Sequence, residues 1–389
     1  MRPHRLALLG VAAGVVAVGV AIYLALGTGG AGHGRRPVRH PLPVPPPQQH
    51  PPQQFGASVN LLFNTAAIGA AQVNAQLAAL HATGATLARS DALWERTEPA
   101  PPVGRVHRYD WAFDDLVAAS LAEHGLRWLP IVDYSPAWVQ SIPGQDHSPP
   151  RSVADYAAYA GALAARYGAD GSFWRLHPSL PRLPVQALEI WNEPDNALFW
   201  VPAPDPGRYA MLYAAARQAI HAADPAARAL VGGLTDASRF VGPMVAADPA
   251  LLGGIDGVAI HAYGPTPASV LDNAAGARQA LDAAGLSSVP LYVTEFGWTT
   301  SPPGALDFLP SSLRPQYLAS TMQGLGRVAC AYGLAGVILY TWFSPQGNPA
   351  DSQQWFGISP PGADGSQDVT AFTDSVQAVR HSEADASCP

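Results

Sequence analysis

Beyond residue 54 the chain alternates between two hydrophobic periods. Short runs rich in apolar and β-branched residues predict strands at 57–63, 86–91, 127–134, 185–191, 229–233, 257–263, 290–295 and 336–342. Between them, longer Ala- and Leu-rich stretches repeat their apolar positions at helical spacing and predict helices at 70–83, 111–124, 153–167, 207–223, 268–284 and 315–332. Eight strand–helix units predict a (β/α)8 TIM barrel, whose functional side chains gather at the carboxyl ends of the strands. A doubly wound open sheet is the alternative, but no Gly-x-Gly-x-x-Gly turn follows the first strand.

The amino-terminal pattern is different. Residues 6–26 form an almost unbroken apolar run behind Arg2, His4 and Arg5, which predicts a transmembrane helix with a cytoplasmic amino terminus. A cleaved signal peptide is the alternative, although its apolar core is usually shorter and no Ala-x-Ala site closes this run. Arg35, Arg36 and Arg39 beyond the run weaken the charge asymmetry. Residues 37–54 hold eight prolines and almost no apolar bulk. That composition cannot pack a core and predicts an extended spacer of roughly 50 Å when fully stretched. The expected division is a cytoplasmic tip and membrane anchor at 1–28, a Pro-rich linker at 29–54, and one large domain at 55–389. That domain is expected outside the cytoplasmic membrane, or secreted if the leading segment is removed.

Composition adds little. The net charge of -7, with no basic block in the second half, argues against a nucleic-acid partner. Two cysteines, Cys330 and Cys388, can bridge in an oxidising compartment or stay as thiols, and both readings stay open. Oligomeric state is not legible.

Chemistry enters through two runs. Trp191-Asn192-Glu193-Pro194 follows the fourth predicted strand, and Thr294-Glu295-Phe296-Gly297-Trp298 closes the seventh. Each sets a glutamate at a strand's carboxyl end among aromatics. Two carboxyl groups facing each other across a sugar ring are the minimum equipment for breaking a glycosidic bond. Glu189 lies four residues deeper than Glu193, roughly 13 Å down an extended strand, so a core-facing ion pair is its expected role.

Ala187 to Pro194, the His261-Ala262-Tyr263 ending of the sixth strand, Val293 to Trp298, and Tyr340-Thr341-Trp342 resemble strands four, six, seven and eight of clan A glycoside hydrolases. Arg89 with Leu93 to Pro99 is similar to the second unit of that clan, with families 39 and 5 closest. Trp355 to Ile358 and Gly362 to Gly365 resemble the turn after the last strand. The resemblance covers about residues 55–376. It implies that Glu193 is the general acid/base and Glu295 the nucleophile of a retaining β-glycoside hydrolase. It also implies that Asn192 bonds the sugar 2-hydroxyl, Arg89 holds Glu295 charged, and Tyr263 donates to Glu295. His261 would bond the sugar or the acid/base, and Trp342 would form the floor beneath an apolar sugar face.

Each role has a plainer alternative. Asn192 can fix its loop backbone, and Arg89 can be a barrel ion pair. A metal site at His261 lacks a second histidine or cysteine at ligand spacing, so neither metal nor organic cofactor is expected. Trp138, Trp191, Trp200 and Trp298 read mainly as packing residues. Loops 141–151, 199–206, 301–312 and 344–362 follow strands and are expected to shape the cleft. The third strand ends Val132-Asp133-Tyr134-Ser135-Pro136 without an assignable motif, and Asp133 can grip a sugar hydroxyl or cap a turn. The expectation is a membrane-tethered enzyme acting on a carbohydrate partner, an extracellular oligo- or polysaccharide. A transglycosylase, a non-catalytic carbohydrate-binding protein and an envelope scaffold are the competing readings.

Overall fold

The structure is a computed structural model and describes residues 54–65, 68–361 and 366–385. The apolar run at 6–26, the Pro-rich stretch before residue 54, and Cys388 lie outside the described residues. Among those described, no helix is long and apolar enough to cross a membrane. Cys330 is disulfide-bonded.

Eight parallel strands close into a barrel in sequence order. They are β1 (Gln54–Ser58), β2 (Leu87–Leu93), β3 (Arg127–Asp133), β4 (Ala187–Ile190), β5 (Arg228–Leu234), β6 (Gly257–His261), β7 (Leu291–Glu295) and β8 (Leu334–Leu339). Pairing of Ala57 with Leu339 joins the first strand to the last. The first strand therefore begins and ends earlier than the pattern predicts. Its expected apolar tail, Leu61 to Phe63, belongs to a helical turn at Asn60–Asn64 that buries Leu62. The last strand ends at Leu339, three residues before the expected end, with consequences described below.

Alternation sorts the side chains into two apolar layers. Leu87, Leu129, Leu230, Ala259, Tyr292 and Ile338 point inward and plug the lower barrel. Ala88, Val132, Leu188, Val231, Ile260 and Val293 point outward and pack beneath the helices. Burial of both layers, at roughly 25 cal/mol per Å² of apolar surface removed from water, drives closure. Helix tyrosines then satisfy strand-end backbone groups. Tyr156, Tyr159 and Tyr213 donate to the carbonyls of Val132, Ala92 and Ala229. Tyr209 donates to Ile190 O and accepts from Gly232 N, bridging β4 and β5 where their ladder stops.

Six helices fall within a few residues of expectation. Besides three short ones of four or five residues, two long helices among those described lie outside the expected pattern: Ala237–Ala247, which carries Gly242 and Pro243 in its interior, and Gln367–Asp385, a more polar sequence. The second packs against the helix at Arg314–Tyr332, and a buried Arg314–Asp368 ion pair at 2.6 Å ties its start to that helix.

Candidate active site

Arg89 organises the upper barrel. Its side chain points inward from β2 and is fully buried. Nε and Nη2 donate to the two oxygens of Glu189 at 2.8 and 3.0 Å, and Nη1 donates to Glu295 Oε1 at 2.6 Å. Nη2 also donates to Asn192 Oδ1 at 3.1 Å. One guanidinium thus makes a barrel ion pair and grips Glu295. Burial works to raise the pKa of Glu189. The charge and hydrogen bonds of Arg89, with His261 and the Gly233 N–H at 2.8 Å, outweigh it and hold the group below the usual carboxylate range.

His261 sits at the end of β6, between the two strand-end glutamates. Its Nε2 lies 3.2 Å from Arg89 Nη2, and because a guanidinium can only donate, Nε2 is the acceptor. The proton is therefore on Nδ1, which donates to Glu193 Oε1 at 2.7 Å. Burial first, and then the charge of Arg89, favour this neutral imidazole, and the His261 pKa is lowered despite the opposing pull of Glu295. Tyr263, two residues on, donates to Glu295 Oε2 at 2.7 Å. Both oxygens of Glu295 are thereby held, one by a cation and one by a phenol.

The backbone around Glu193 is bent to this purpose. β4 stops at Ile190, and Trp191 and Glu193 adopt positive φ angles of 67° and 46°. Such angles are disfavoured for residues with a Cβ and concentrate at functional sites. The turn at Trp191 breaks the alternation. Its ring goes outward against Tyr156 and Trp200, while Asn192 and Glu193 face the barrel mouth. Glu193 Oε2 accepts from Asn196 Nδ2 at 2.6 Å, and the Leu198 N–H to Asn196 Oδ1 bond at 3.0 Å fixes that amide's orientation. Burial pushes the Glu193 pKa up to about 7, against the Asn196 bond and the Arg89 charge and with the help of the Glu189 charge. A site with one carboxyl poised near neutrality and another clamped by a cation can run acid and nucleophile chemistry side by side.

The mouth above these groups opens into a cavity of about 1030 Å³. Its lining comes from the ends of β5 to β7, the segments that follow β4 to β8, and the helices at Ala237–Ala247 and Pro267–Ala283, and no residue of the loops after β1, β2 or β3 contributes. Asn192, Glu193, His261, Tyr263 and Glu295 all line it, and Arg89 lies behind Glu295. Loops 199–206, 301–312 and 344–362 reach the cavity through Phe199, Pro204, Leu306, Asp307 and Gln353. Loop 141–151 does not line it; it braces the β4 loop from behind, through the Val201 N–H to His147 O bond at 3.1 Å.

Trp342 departs from expectation. It has no exposed surface, packs on Phe372 and is not part of the cavity wall. With β8 ending at Leu339, strand alternation no longer carries position 342 to the mouth, and of the Tyr-Thr-Trp run it is Tyr340 that lines the cavity. The other indoles are packing residues: Trp191 donates to Phe199 O at 2.6 Å and Trp298 to Gly264 O at 2.9 Å. Asp133 neither caps a turn nor meets the cavity. It is fully buried, neither oxygen has a hydrogen-bond partner among the described residues, and burial with the neighbouring Asp91 charge raises its pKa well above the usual range.

One oxygen or nitrogen from each of Glu193, His261 and Glu295 lies within 4.8 Å of the others, a spacing that a cation could span. The donor set speaks against one. Both imidazole nitrogens are engaged, and a metal beside Glu295 would sit against the Arg89 cation.

Among the cavity residues not singled out as site residues in advance are Asn196, Tyr340, Asp307 and Gln353. Tyr340 stood in the Tyr-Thr-Trp run, one place from the strand end. Asn196 follows Glu193 by three residues, a spacing that a tight turn brings together. The other two come from long loops with no periodicity to place them.

No protein-family model matches the chain, and no curated protein matches it in sequence. Solved structures share its fold. It is similar to a monomeric beta-xylosidase from Caulobacter crescentus CB15, with 20% identity and TM-score 0.63 over 84% of this chain and 69% of that one. A glucosidase from Croceicoccus marinus gives 16% identity and TM-score 0.64, covering 86% and 69% of the two chains. A family 5 glycoside hydrolase mannosidase from Rhizomucor miehei gives 12% and 0.56, covering 87% and 95%.

Proposed function

We propose that the chain is a glycoside hydrolase that cleaves β-glycosidic bonds with retention of configuration. The observation that carries the reading is the opposed pair Glu193 and Glu295 at the ends of β4 and β7, one raised by burial to about 7 and the other gripped by Arg89 and Tyr263. The fold shared with the xylosidase, glucosidase and mannosidase named above supports it.

In the first step protonated Glu193 gives its proton to the glycosidic oxygen, while a Glu295 oxygen attacks the anomeric carbon. The C–O bond to the leaving group breaks, and a glycosyl ester on Glu295 forms. Glu193, now a carboxylate, takes a proton from water in the second step; the water oxygen attacks the anomeric carbon and frees Glu295. Carboxyl oxygens within 4.8 Å of each other suit this double displacement, because inversion needs roughly 6.5 to 9.5 Å between carboxyls for an intervening water. Arg89 and Tyr263, each bonded to one oxygen of Glu295, orient it for attack. Asn192, its carbonyl fixed by Arg89, faces the place where the ring hydroxyl beside the anomeric carbon would lie.

Hydrolysis of aryl β-glycosides by the purified full chain tests the reading. Glu295→Gln should remove turnover on every substrate. Glu193→Gln should cost roughly 10²- to 10⁴-fold on poor leaving groups and much less on activated ones. Equal rates in both variants and the parent protein would sink it. The run at 6–26 and the Pro-rich stretch lead us to place the barrel outside the cytoplasmic membrane, anchored by that run; recovery of the chain in the soluble fraction after lysis would count against the anchor.

A further inference from the structure

Six carboxylates line the cavity, and no lysine or arginine does. Five of them are accounted for. Glu193 and Glu295 are held as described, and Asp195 accepts from the Thr235 and Asp236 backbone N–H groups at 3.1 and 2.6 Å. Asp236 pairs with Arg239 at 3.2 Å, and Asp272 is exposed. Asp307 is different: it is 5% exposed, its remaining surface faces the cavity, and no donor among the described residues reaches its carboxylate. Burial alone raises its pKa, to about 6.

The loop that carries Asp307 is built to hold it still. A short parallel bridge pairs Thr299 with Phe308 just after β7, and the Thr299 N–H donates to Asp307 O at 3.0 Å. Thr299 Oγ1 donates to Ser352 O at 2.8 Å, tying this loop to the one after β8. That second loop supplies Gln353, whose Oε1 accepts from the Tyr340 hydroxyl at 2.7 Å while its buried Nε2 has no partner. The cavity lining therefore includes an acceptor without a donor at Asp307 and, at Gln353, an amide whose donor has no acceptor among the described residues. Unpaired buried polar groups are costly, and a ligand bearing both hydrogen-bonding capacities would satisfy them.

We propose that Asp307 and Gln353 form the specificity-determining wall of the cavity, accepting from and donating to ring substituents of the bound sugar. The wall takes hydroxyl- or ammonium-bearing sugars and rejects uronic acids, because a sugar carboxylate would meet Asp307 with no cation in the lining to offset it. This rests on the glycosidase reading and deepens it.

The test compares kcat/KM for para-nitrophenyl β-xyloside, β-glucoside, β-glucosaminide and β-glucuronide in the parent protein, Asp307→Asn, Asp307→Ala and Gln353→Ala. Calorimetric binding of the corresponding methyl glycosides is measured alongside. The parent protein should turn over at least one uncharged or amine-bearing substrate and at least 100-fold less glucuronide. Asp307→Ala should lose about 10- to 100-fold in kcat/KM on its best substrate, with Asp307→Asn guarding against a folding defect. A greater loss on the glucosaminide than on the glucoside assigns the ammonium; equal losses assign a hydroxyl. Unchanged kcat/KM in both Asp307 variants, or a glucuronide cleaved as fast as the glucoside, overturns the inference and leaves the glycosidase reading intact. Neither turnover nor binding of any glycoside by the parent protein overturns both.

Discussion

Arg89 touches both members of a buried acidic pair, so its removal has two effects that can be separated. Arg89→Met leaves Glu189 without its counter-charge in the barrel interior, and breaking such a pair costs on the order of 3 to 5 kcal/mol. Urea unfolding should show that loss even in a Glu295→Gln background, since the Glu189 contact lies deeper than the mouth. Tyr263→Phe removes only the bond to Glu295 Oε2 and should lower kcat by about tenfold, with unfolding free energy changed by less than about 1 kcal/mol. Asn196 acts on the other glutamate. Its NH2 donation favours the charged form of Glu193, so Asn196→Ala should move the alkaline limb of the pH–rate profile upward by about half a unit or more. A downward shift would show that the hydrogen bond does not govern that titration. Glu193, Glu295, His261 and Tyr263 stand at or just past strand ends and Arg89 inside β2; their motifs drew attention in the sequence, and the structure brings them together at the barrel mouth. Tyr340 was not legible: whether position 340 or 342 faces the mouth depends on where β8 stops, and apolar residues run past its end. Trp342→Phe should accordingly leave KM unchanged, whereas Tyr340→Ala should raise it severalfold.

β5 shows what a strand contributes when it has no reactive side chain. Gly232 and Gly233 follow Val231 where its pairing with β6 shifts register. A Cβ on Gly233 would overlap the His261 imidazole, and one on Gly232 would overlap the Trp191 carbonyl. The missing side chains are what let the neighbouring strands bring their functional groups together. Gly233→Ala should therefore displace His261 and cut kcat/KM by more than tenfold while the far-ultraviolet circular dichroism of the barrel is kept. Seven of the eight strands were legible to within about three residues in the runs of β-branched residues, and the first slid because Leu61 to Phe63 look equally apolar in a strand or a helical turn. The helix at Ala237–Ala247 escaped prediction because Gly242 and Pro243 are poor helix formers. Tertiary packing of Phe240, Val241 and Met244 overrides them.

Across the molecule several carboxyls are buried without full compensation. Burial raises Glu193 and Asp114 to about 7, from ordinary values of 4.5 and 3.8, and Asp133 well above its own. Between about pH 4 and 7 the unfolded chain has released these protons and the folded chain keeps them, so stability falls as pH rises through that window. Glu189, shifted the other way, contributes stability above the usual carboxylate range that is lost on acidification. The melting temperature should then peak near about pH 5 and be several degrees lower at pH 8. A melting curve that climbs steadily from pH 5 to pH 8 would contradict this account. The lopsided mouth has one more consequence. The cavity's lining is drawn from the β4-to-β8 side of the mouth, so a sugar chain bound there meets unlike walls on its two flanks. Under the proposed chemistry the departing end must leave past Glu193 and Leu198, and the retained end lies toward Asp307, so the barrel imposes a direction on the strand it cuts.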